Sequence, residues 1–422
     1  MTVPPRLDEA VGMEVYASPW PPCGARIKAR TEDFAVVESL VGLEVLGGPG
    51  EGLLPLYRVE KRRIDTPHLG MALSAALKSR VSFAGMKDKK AVAVQYATPT
   101  SVRAERPSVV EGDGFRAELV GYVARPVSRG MVRSNRFRVT LRDCCPDVGE
   151  RIGLVFELAK ELCLPNFYGL QRFGGGGALT HRVGRAITRK RFDEAIRVLL
   201  CEPRSSDSQA TRQARESLSQ GRYEEGYRLL PAGQDVERMV ARRLAEKPGD
   251  TVGALRAVPI RLRRLYAEAY QSYIFNRTLS LALKKGLNIA SAELGDNWGE
   301  ASVDGLMLVK VHGVREPQLD GAVPLVQLVG YAYRDYGSRF DRCAGEVMEQ
   351  EGVAARDFYF EEMQEISVEG GFRRPHLVVR DCSSAFDGDS AVLSFTLARG
   401  QYATVLLREI VKPEDPAAQG FA

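Results

Sequence analysis

Phe83-Ala84-Gly85-Met86-Lys87-Asp88-Lys89-Lys90-Ala91-Val92-Ala93-Val94-Gln95 sets one carboxylate among three lysines and runs directly into an alternating, strand-like segment. Attraction from Lys87, Lys89 and Lys90 favours the charged form of Asp88, which suits a nucleophile or general base near neutral pH. Upstream, Thr66-Pro67 predicts an N-cap with proline in the first helical turn, and Leu69, Leu73 and Leu77 follow on one face of a helix expected to end near Lys78. Further back, Ala25–Arg30 and Phe34–Glu38 alternate as strands, Gly47-Gly48-Pro49-Gly50-Glu51-Gly52 punctuates, and Leu54–Lys61 returns as another strand. This order delivers Asp88 to a strand edge. In extended chain Lys87 and Lys89 point to the face opposite Asp88, so the cation that holds its charge is expected from elsewhere. The plainer reading of Asp88 is a turn carboxylate without chemistry.

A chain of 422 residues exceeds the usual limit of one hydrophobic core, so at least two domains are expected. Hydrophobic residues at 44% and charged residues at 27% are those of an ordinary globular protein. No apolar run approaches the ~20 residues of a membrane span, and MTVPPRLDEA has neither a basic nor an apolar leader region, so a soluble, cytoplasmic protein with no membrane partner is expected. Seven cysteines (Cys23, Cys144, Cys145, Cys163, Cys201, Cys343, Cys382) include no C-x-x-C pair, and reduced, structural cysteines are expected. His68, His181, His312 and His376 lie far apart without ligand spacing, so no metal site is expected.

The net charge of +5 permits a polyanionic partner without requiring one. Distribution says more. Arg182, Arg185, Arg189, Lys190, Arg191 and Arg197 crowd one segment, and Arg256, Arg261, Arg263 and Arg264 another. Such clusters neutralise phosphates, although any single arginine reads equally as part of a solvated helix face.

Downstream of Asp88, Phe115–Val120 and Arg136–Leu141 alternate as strands joined by a basic connection with Arg125, Arg129 and Arg133. Residues 148–163, 192–245 and 264–285 read as helical, and 355–410 returns to short β-like runs. No internal repeat occurs, and the Pro/Ala/Gly tail from Lys412 onward is expected to lack fixed structure.

Four segments together resemble the TruD family of tRNA pseudouridine synthases. Gly85-x-Lys87-Asp88-x-x-Ala91-x-x-x-Gln95 resembles its signature, and Asn166-Phe167-Tyr168-Gly169-Leu170-Gln171-Arg172-Phe173-Gly174 its second element. Tyr270–Arg277 and Tyr402–Glu409 are similar to its helical and C-terminal elements. The resemblance implies an α/β (α+β) fold. A discontinuous catalytic domain with a mixed, largely antiparallel sheet, residues 1–170 and 374–422, is interrupted by a family-specific α/β insertion, residues 171–373. RNA would lie in the cleft between them. It implies Asp88 as the catalytic residue and Lys28, ahead of Glu32-Asp33-Phe34, as its cationic partner; an exposed strand lysine is the alternative for Lys28. Phe137 would stack on the target uracil with Asn135 beside it, and Ser134 stands where the family has glycine, which puts the conformation before Asn135 in question. A core ring is the alternative for Phe137. Lys87, Arg133, Asn166, Gln171, Arg172, Phe173 and Asn276 are the candidate RNA-binding residues, with Gly174–Gly177 as a joint into the insertion.

The implied reaction breaks the N1–C1′ bond of a uridine and rejoins the base through C5, with neither cofactor nor metal. Asp88 would attack C1′ or remove the C2′ proton, and the sequence does not choose. The implied substrate is tRNA, with uridine 13 as the implied target, and a monomer is expected. Two other classes compete: an RNA-binding or tRNA-chaperone protein without required catalysis, and a methyltransferase, against which stands the lack of a strand-Gly-x-Gly-helix site.

Overall fold

A computed structural model describes residues 2–204, 207–314 and 321–422. In chain order its strands are β1 (Phe34–Leu40), β2 (Leu54–Lys61), β3 (Val81–Phe83), β4 (Val92–Pro99), β5 (Val109–Gly112), β6 (Phe115–Val123), β7 (Val132–Leu141), β8 (Asn297–Ala301), β9 (Leu308–Val314), β10 (Ala322–Leu328), β11 (Gly371–Arg373), β12 (Val379–Asp387) and β13 (Ser390–Ala398). One sheet has the order β12-β13-β7-β1-β4-β2-β6-β5, with β3 added on β4. β1 is parallel to β4, because β2, the helix Thr66–Ala76 and β3 intervene as a crossover, and the other pairings in this sheet are antiparallel. The fold is therefore mixed α/β, with a largely antiparallel sheet.

Val36 lies opposite Ala93 on one side and Phe137 on the other, and Phe137 lies opposite Phe395. Opposed residues share a face. On that face Phe34, Val36, Ala93, Phe137 and Phe395 join a core with the helices Val148–Lys160 and Ala403–Val411. The same face turns polar one step along the strands, where Lys61, Gln95, Glu38 and Asn135 stand in adjacent rows.

Between Phe173 and β12 the chain is mainly helical and contributes a second sheet, ordered β11-β10-β8-β9. The long helix Ile260–Lys284 is shared by two cores. Tyr266, Ala267, Tyr270 and Ile274 pack among the neighbouring helices, and Ala269, Phe275, Leu279 and Ala282 among residues of the main sheet's core. This explains an apolar pattern on more than one side of the helix. At Gly184 a Cβ would fall 2.0 Å from the Tyr266 carbonyl oxygen, so the helix Thr180–Thr188 meets the long helix backbone to backbone.

Several sequence expectations are corrected. Ala25–Arg30 is not a regular strand: Arg26 makes one isolated bridge to Arg142, and Lys28 adopts φ 54°, which turns the chain. Asp65, not Thr66, caps the next helix, its carboxylate accepting from the His68 N–H at 2.9 Å. Residues 192–245 divide into four helices, with residues 205–206 outside the described residues. Ala403–Val411 is a helix rather than a β-like run; every one of its residues is buried, so its apolar pattern carries no period that separates the two forms. The tail is fixed: Ile27 N–H donates to the Gln419 carbonyl at 3.0 Å, and Phe421 is buried. Cys23 and Cys145 form a disulfide, with Cα atoms 5.5 Å apart, so not all seven cysteines are reduced. No helix among the described residues is long and apolar enough to cross a membrane.

The disulfide closes a separation of 122 residues and so restricts the unfolded chain. Natural crosslinks of this kind typically stabilise by about 2–4 kcal/mol. Replacing Cys23 and Cys145 by serine is expected to lower the thermal midpoint, and dithiothreitol to bring the native chain down to the same value. A midpoint insensitive to both changes would exclude the crosslink as a source of stability.

Candidate active site

Asp88 lies in the loop between β3 and β4, and three ammonium groups fix that loop in three different ways. Lys28 reaches the side chain: its Nζ is 2.5 Å from Asp88 Oδ2, and its own side chain is only 4% exposed against 34% for Asp88. Lys61, at the end of β2 and fully buried, donates to the backbone carbonyls of Asp88 at 2.6 Å and Ile64 at 2.8 Å. Lys87 turns away from Asp88. Its Nζ donates to Glu38 Oε2 at 2.6 Å and Asn135 Oδ1 at 3.0 Å, while Glu38 Oε1 accepts from the Tyr96 N–H at 2.7 Å.

Gly85 makes the Lys87 contact possible. A Cβ at that position would lie 2.9 Å from Lys87 Nζ and 3.0 Å from Glu38 Oε2, closer than ordinary contacts allow. The glycine and lysine of the Gly-x-Lys-Asp segment thus form one device that anchors the loop to the sheet, and the aspartate is the residue left facing outward. Of Lys87, Lys89 and Lys90, expected to favour the charged form of Asp88, Lys90 touches the carboxylate, through its backbone N–H at 3.0 Å from Oδ1, and the paired ammonium comes from elsewhere, from Lys28.

Burial alone would raise the Asp88 carboxyl. The charge and hydrogen bond of Lys28, the Lys90 N–H and the charge of Lys61 outweigh it and hold Asp88 below the ordinary aspartate value. Burial pushes the Lys61 ammonium down to about 8, against the opposing pull of Asp88 and Asp65. Lys61 is therefore charged at neutral pH.

Lys28 also lies over the ring of Phe34, 4.8 Å from its centroid. Phe34 packs edge-on against Phe137 at 5.8 Å, and Phe137 stacks on Phe395 at 5.5 Å. The sequence candidates Lys28, Asp88, Asn135 and Phe137 are thus brought to one region of one sheet face. Phe137 is 8% exposed, a ring built into the aromatic row. Ser134 pairs in β7 with Ser39 and Ala398, so no glycine-dependent turn precedes Asn135. Gln95, the last residue of the opening segment, is fully buried in the row beside Glu38, and neither its amide oxygen nor its nitrogen has a partner.

The other candidates lie at the junction between the two sheets. Asn166 is buried, donates to the Arg374 carbonyl at 2.9 Å and accepts from Arg373 at 2.8 Å. Asn276 is fully buried and exchanges hydrogen bonds with the backbone of Tyr168 and Val11. Phe173 is buried against His181. With their polar atoms engaged or their ring enclosed, these three hold the junction together. Gln171 binds the Phe421 carbonyl and Thr404, and Arg172 binds Glu268 and Ser272. Arg133 is exposed and pairs with Asp304, which lies between β8 and β9, so it reaches from one sheet to the other.

Sequence reading missed Glu38, Lys61 and Arg374. A lone acid in the apolar alternation of β1 was the available signal for Glu38, since a buried carboxylate requires a cation. Lys61 closes an apolar strand in the same manner. Among the described residues no group of three His, Cys, Asp or Glu side chains is placed to hold a metal ion.

Residues 10–410 match the family model of tRNA pseudouridine synthase D (TruD). A relative from Pyrobaculum arsenaticum named "Probable tRNA pseudouridine synthase D" is 34% identical, covering 99% of each chain. One of the same name from Archaeoglobus fulgidus is 32% identical over 97% of this chain and all of the relative. A crystal structure of a Methanosarcina mazei protein assigned to tRNA pseudouridine synthase D superposes with a TM-score of 0.77 at 26% identity, covering 98% of this chain and 99% of that one.

Because Asp88 sits below its unfolded value, its contribution to stability is present above about pH 4 and is lost as pH falls through the folded value. Lys28→Met leaves burial as the largest influence and should raise the folded value. Urea unfolding between pH 3 and 7 is expected to show the stability gained by the native chain on ionising Asp88 shrink or reverse in the variant. Superimposable pH dependences would show that Lys28 does not set the charge of Asp88.

Proposed function

The chain belongs to the tRNA pseudouridine synthase D family, and we propose that it isomerises a uridine of tRNA, position 13 by resemblance, with Asp88 as the catalytic residue. One observation carries the assignment: a partly exposed carboxylate is held ionised by a buried ammonium, in a loop that two further buried lysines anchor. An ionised oxygen with a fixed position is what either route requires. In one, Asp88 attacks C1′ as the N1–C1′ bond breaks, and the Asp88–C1′ bond breaks in turn when C5 attacks; in the other, it accepts the C2′ proton as the N1–C1′ bond breaks and returns it when C5 joins C1′. In both, a C5–C1′ bond forms, the C5 proton leaves and N1 gains a proton, so the product is an isomer of the substrate. Lys28 fixes Oδ2 and the charge, while Lys61 and Lys87 hold the loop. Asn135 keeps Lys87 in place.

The uracil platform expected of Phe137 is supported by its position in the aromatic row that ends at Lys28. Opening of that row on substrate binding would expose a ring face, and base stacking stabilises by roughly 1–3 kcal/mol. In this reading residues 1–170 and 374–422 form the catalytic domain and 171–373 the insertion, with tRNA between them and Arg133 at the rim. The protein would act as a cytoplasmic monomer.

Asp88→Asn removes the negative charge and keeps the shape. Tritium release from 5-tritiated uridine in tRNA is expected to fall by about three orders of magnitude or more, with tRNA affinity changed less than about twofold. Turnover retained in that variant would take the catalytic role from Asp88.

A further inference from the structure

Arg374 follows β11, where the chain returns from the second sheet to the first. It is 6% exposed, its Nη1 donates to the Gly305 carbonyl, and its Nη2 has no partner. A buried guanidinium nitrogen without an acceptor is costly, since each such donor has lost its water. Arg374 lines a cleft of about 500 Å³ that also has Arg373, Arg399, Asn166, Val132 and Met307 on its wall. One wall residue, Val132, packs beside the start of the catalytic loop: its side chain lies 3.7 Å from the position of a Cβ on Gly85.

Charge around the cleft is not balanced. Among the described residues Arg129, Arg373, Arg374, Arg380 and Arg399 form no ion pair with any carboxylate. Asp304 is the acid at hand, but it is taken by Arg133, Ser302 and the Leu306 N–H. Arg373 is engaged at all three guanidinium nitrogens, bound to the carbonyls of Asn166 and Gly400 and to the Asn166 side chain. Arg399 is held by the Arg129 and Gly130 carbonyls. Burial and the nearby Arg380 push the Arg374 guanidinium down to about 10, so its cation is the poorly compensated one. A cleft with an excess of fixed positive charge and one free buried donor is built for an anion.

We propose that Arg374 is a phosphate-binding residue whose unpartnered Nη2 turns to take an oxygen of one phosphodiester of the bound RNA strand, in the cleft whose wall residue Val132 packs beside the loop of Asp88. Its Nη1 bond to Gly305 holds the fork in place, and Arg399 adds long-range attraction. The naming of RNA as the source rests on the functional reading above; the phosphate chemistry does not.

The test compares native chain, Arg374→Met and Arg374→Lys by tRNA binding over a salt series, with thermal midpoints measured for all three. Loss of one phosphate contact is expected to weaken binding of Arg374→Met by about tenfold and to lower the slope of log affinity against log salt by about one. Arg374→Lys should keep the slope, because it keeps the charge, while binding less tightly than the native chain. In a second arm, inorganic phosphate at constant ionic strength should raise the midpoint of the native chain and not that of Arg374→Met. A phosphate response with unchanged tRNA slopes overturns the RNA assignment and supports a site for free phosphate. Unchanged slopes with no phosphate response overturn the site altogether. Equal weakening in both variants with matching falls in midpoint also overturns it, since only the Gly305 bond would then matter. Binding is read without turnover, so a failure of Asp88 to catalyse leaves this test intact.

Discussion

A lysine ammonium that has lost its water needs acceptors, and this requirement organises the centre of the molecule. Three such groups meet around the one loop between β3 and β4, and each is satisfied differently: by a carboxylate, by two backbone carbonyls, and by a buried glutamate with an amide. The carboxylate that neutralises Lys28 is the exposed member of the set. Its charge is therefore a by-product of burying a cation beneath it, and it needs no solvent ion to persist. Remove the buried lysines and the loop loses both its anchor and its electrostatic bias.

The segments that identify the family divide into two kinds of work. Gly85, Lys87 and Asp88 shape the reactive loop, with Lys28 beneath. Asn166, Arg172, Asn276 and Arg408 instead close the junction, tying backbone from distant parts of the chain. Arg408 shows the principle well: buried over the Tyr16 ring, it binds Asp8 and the carbonyls of Met13 and Val15, so the C-terminal helix and the N-terminal segment form one unit. Polar groups placed so deeply are useful only when every donor finds an acceptor. Arg374 departs from that pattern, with one donor left free in a cleft.

Local signals in the sequence carried much of the fold. The alternation of Leu54–Lys61 matches β2, and the period in residues 264–285 marks most of the long helix. Asp88 was legible from its charged neighbours, and the alternation of extended chain already sent its paired cation to another part of the sequence. Lys28 was reached through resemblance, because sixty residues and a crossover separate it from Asp88. Glu38 and Lys61 became meaningful only with the sheet order, since pairing across β1, β4 and β2 is a long-range property that no local period encodes. The helix Ala403–Val411 and the fixed tail were missed for a related reason: enclosure by the rest of the protein erases amphipathic contrast and orders polar chain.

The packing of that tail has a bearing on how Lys28 is held. Gln419 clips Ile27 and Ala25 from both directions, and a Cβ on Gly420 would collide with the Ile27 carbonyl, so the strip of chain next to Lys28 is completed by residues as far as 394 positions away in the sequence. The backbone leading to Lys28 is thus held by contacts that span the chain, and losing them would loosen the cation that pairs with Asp88.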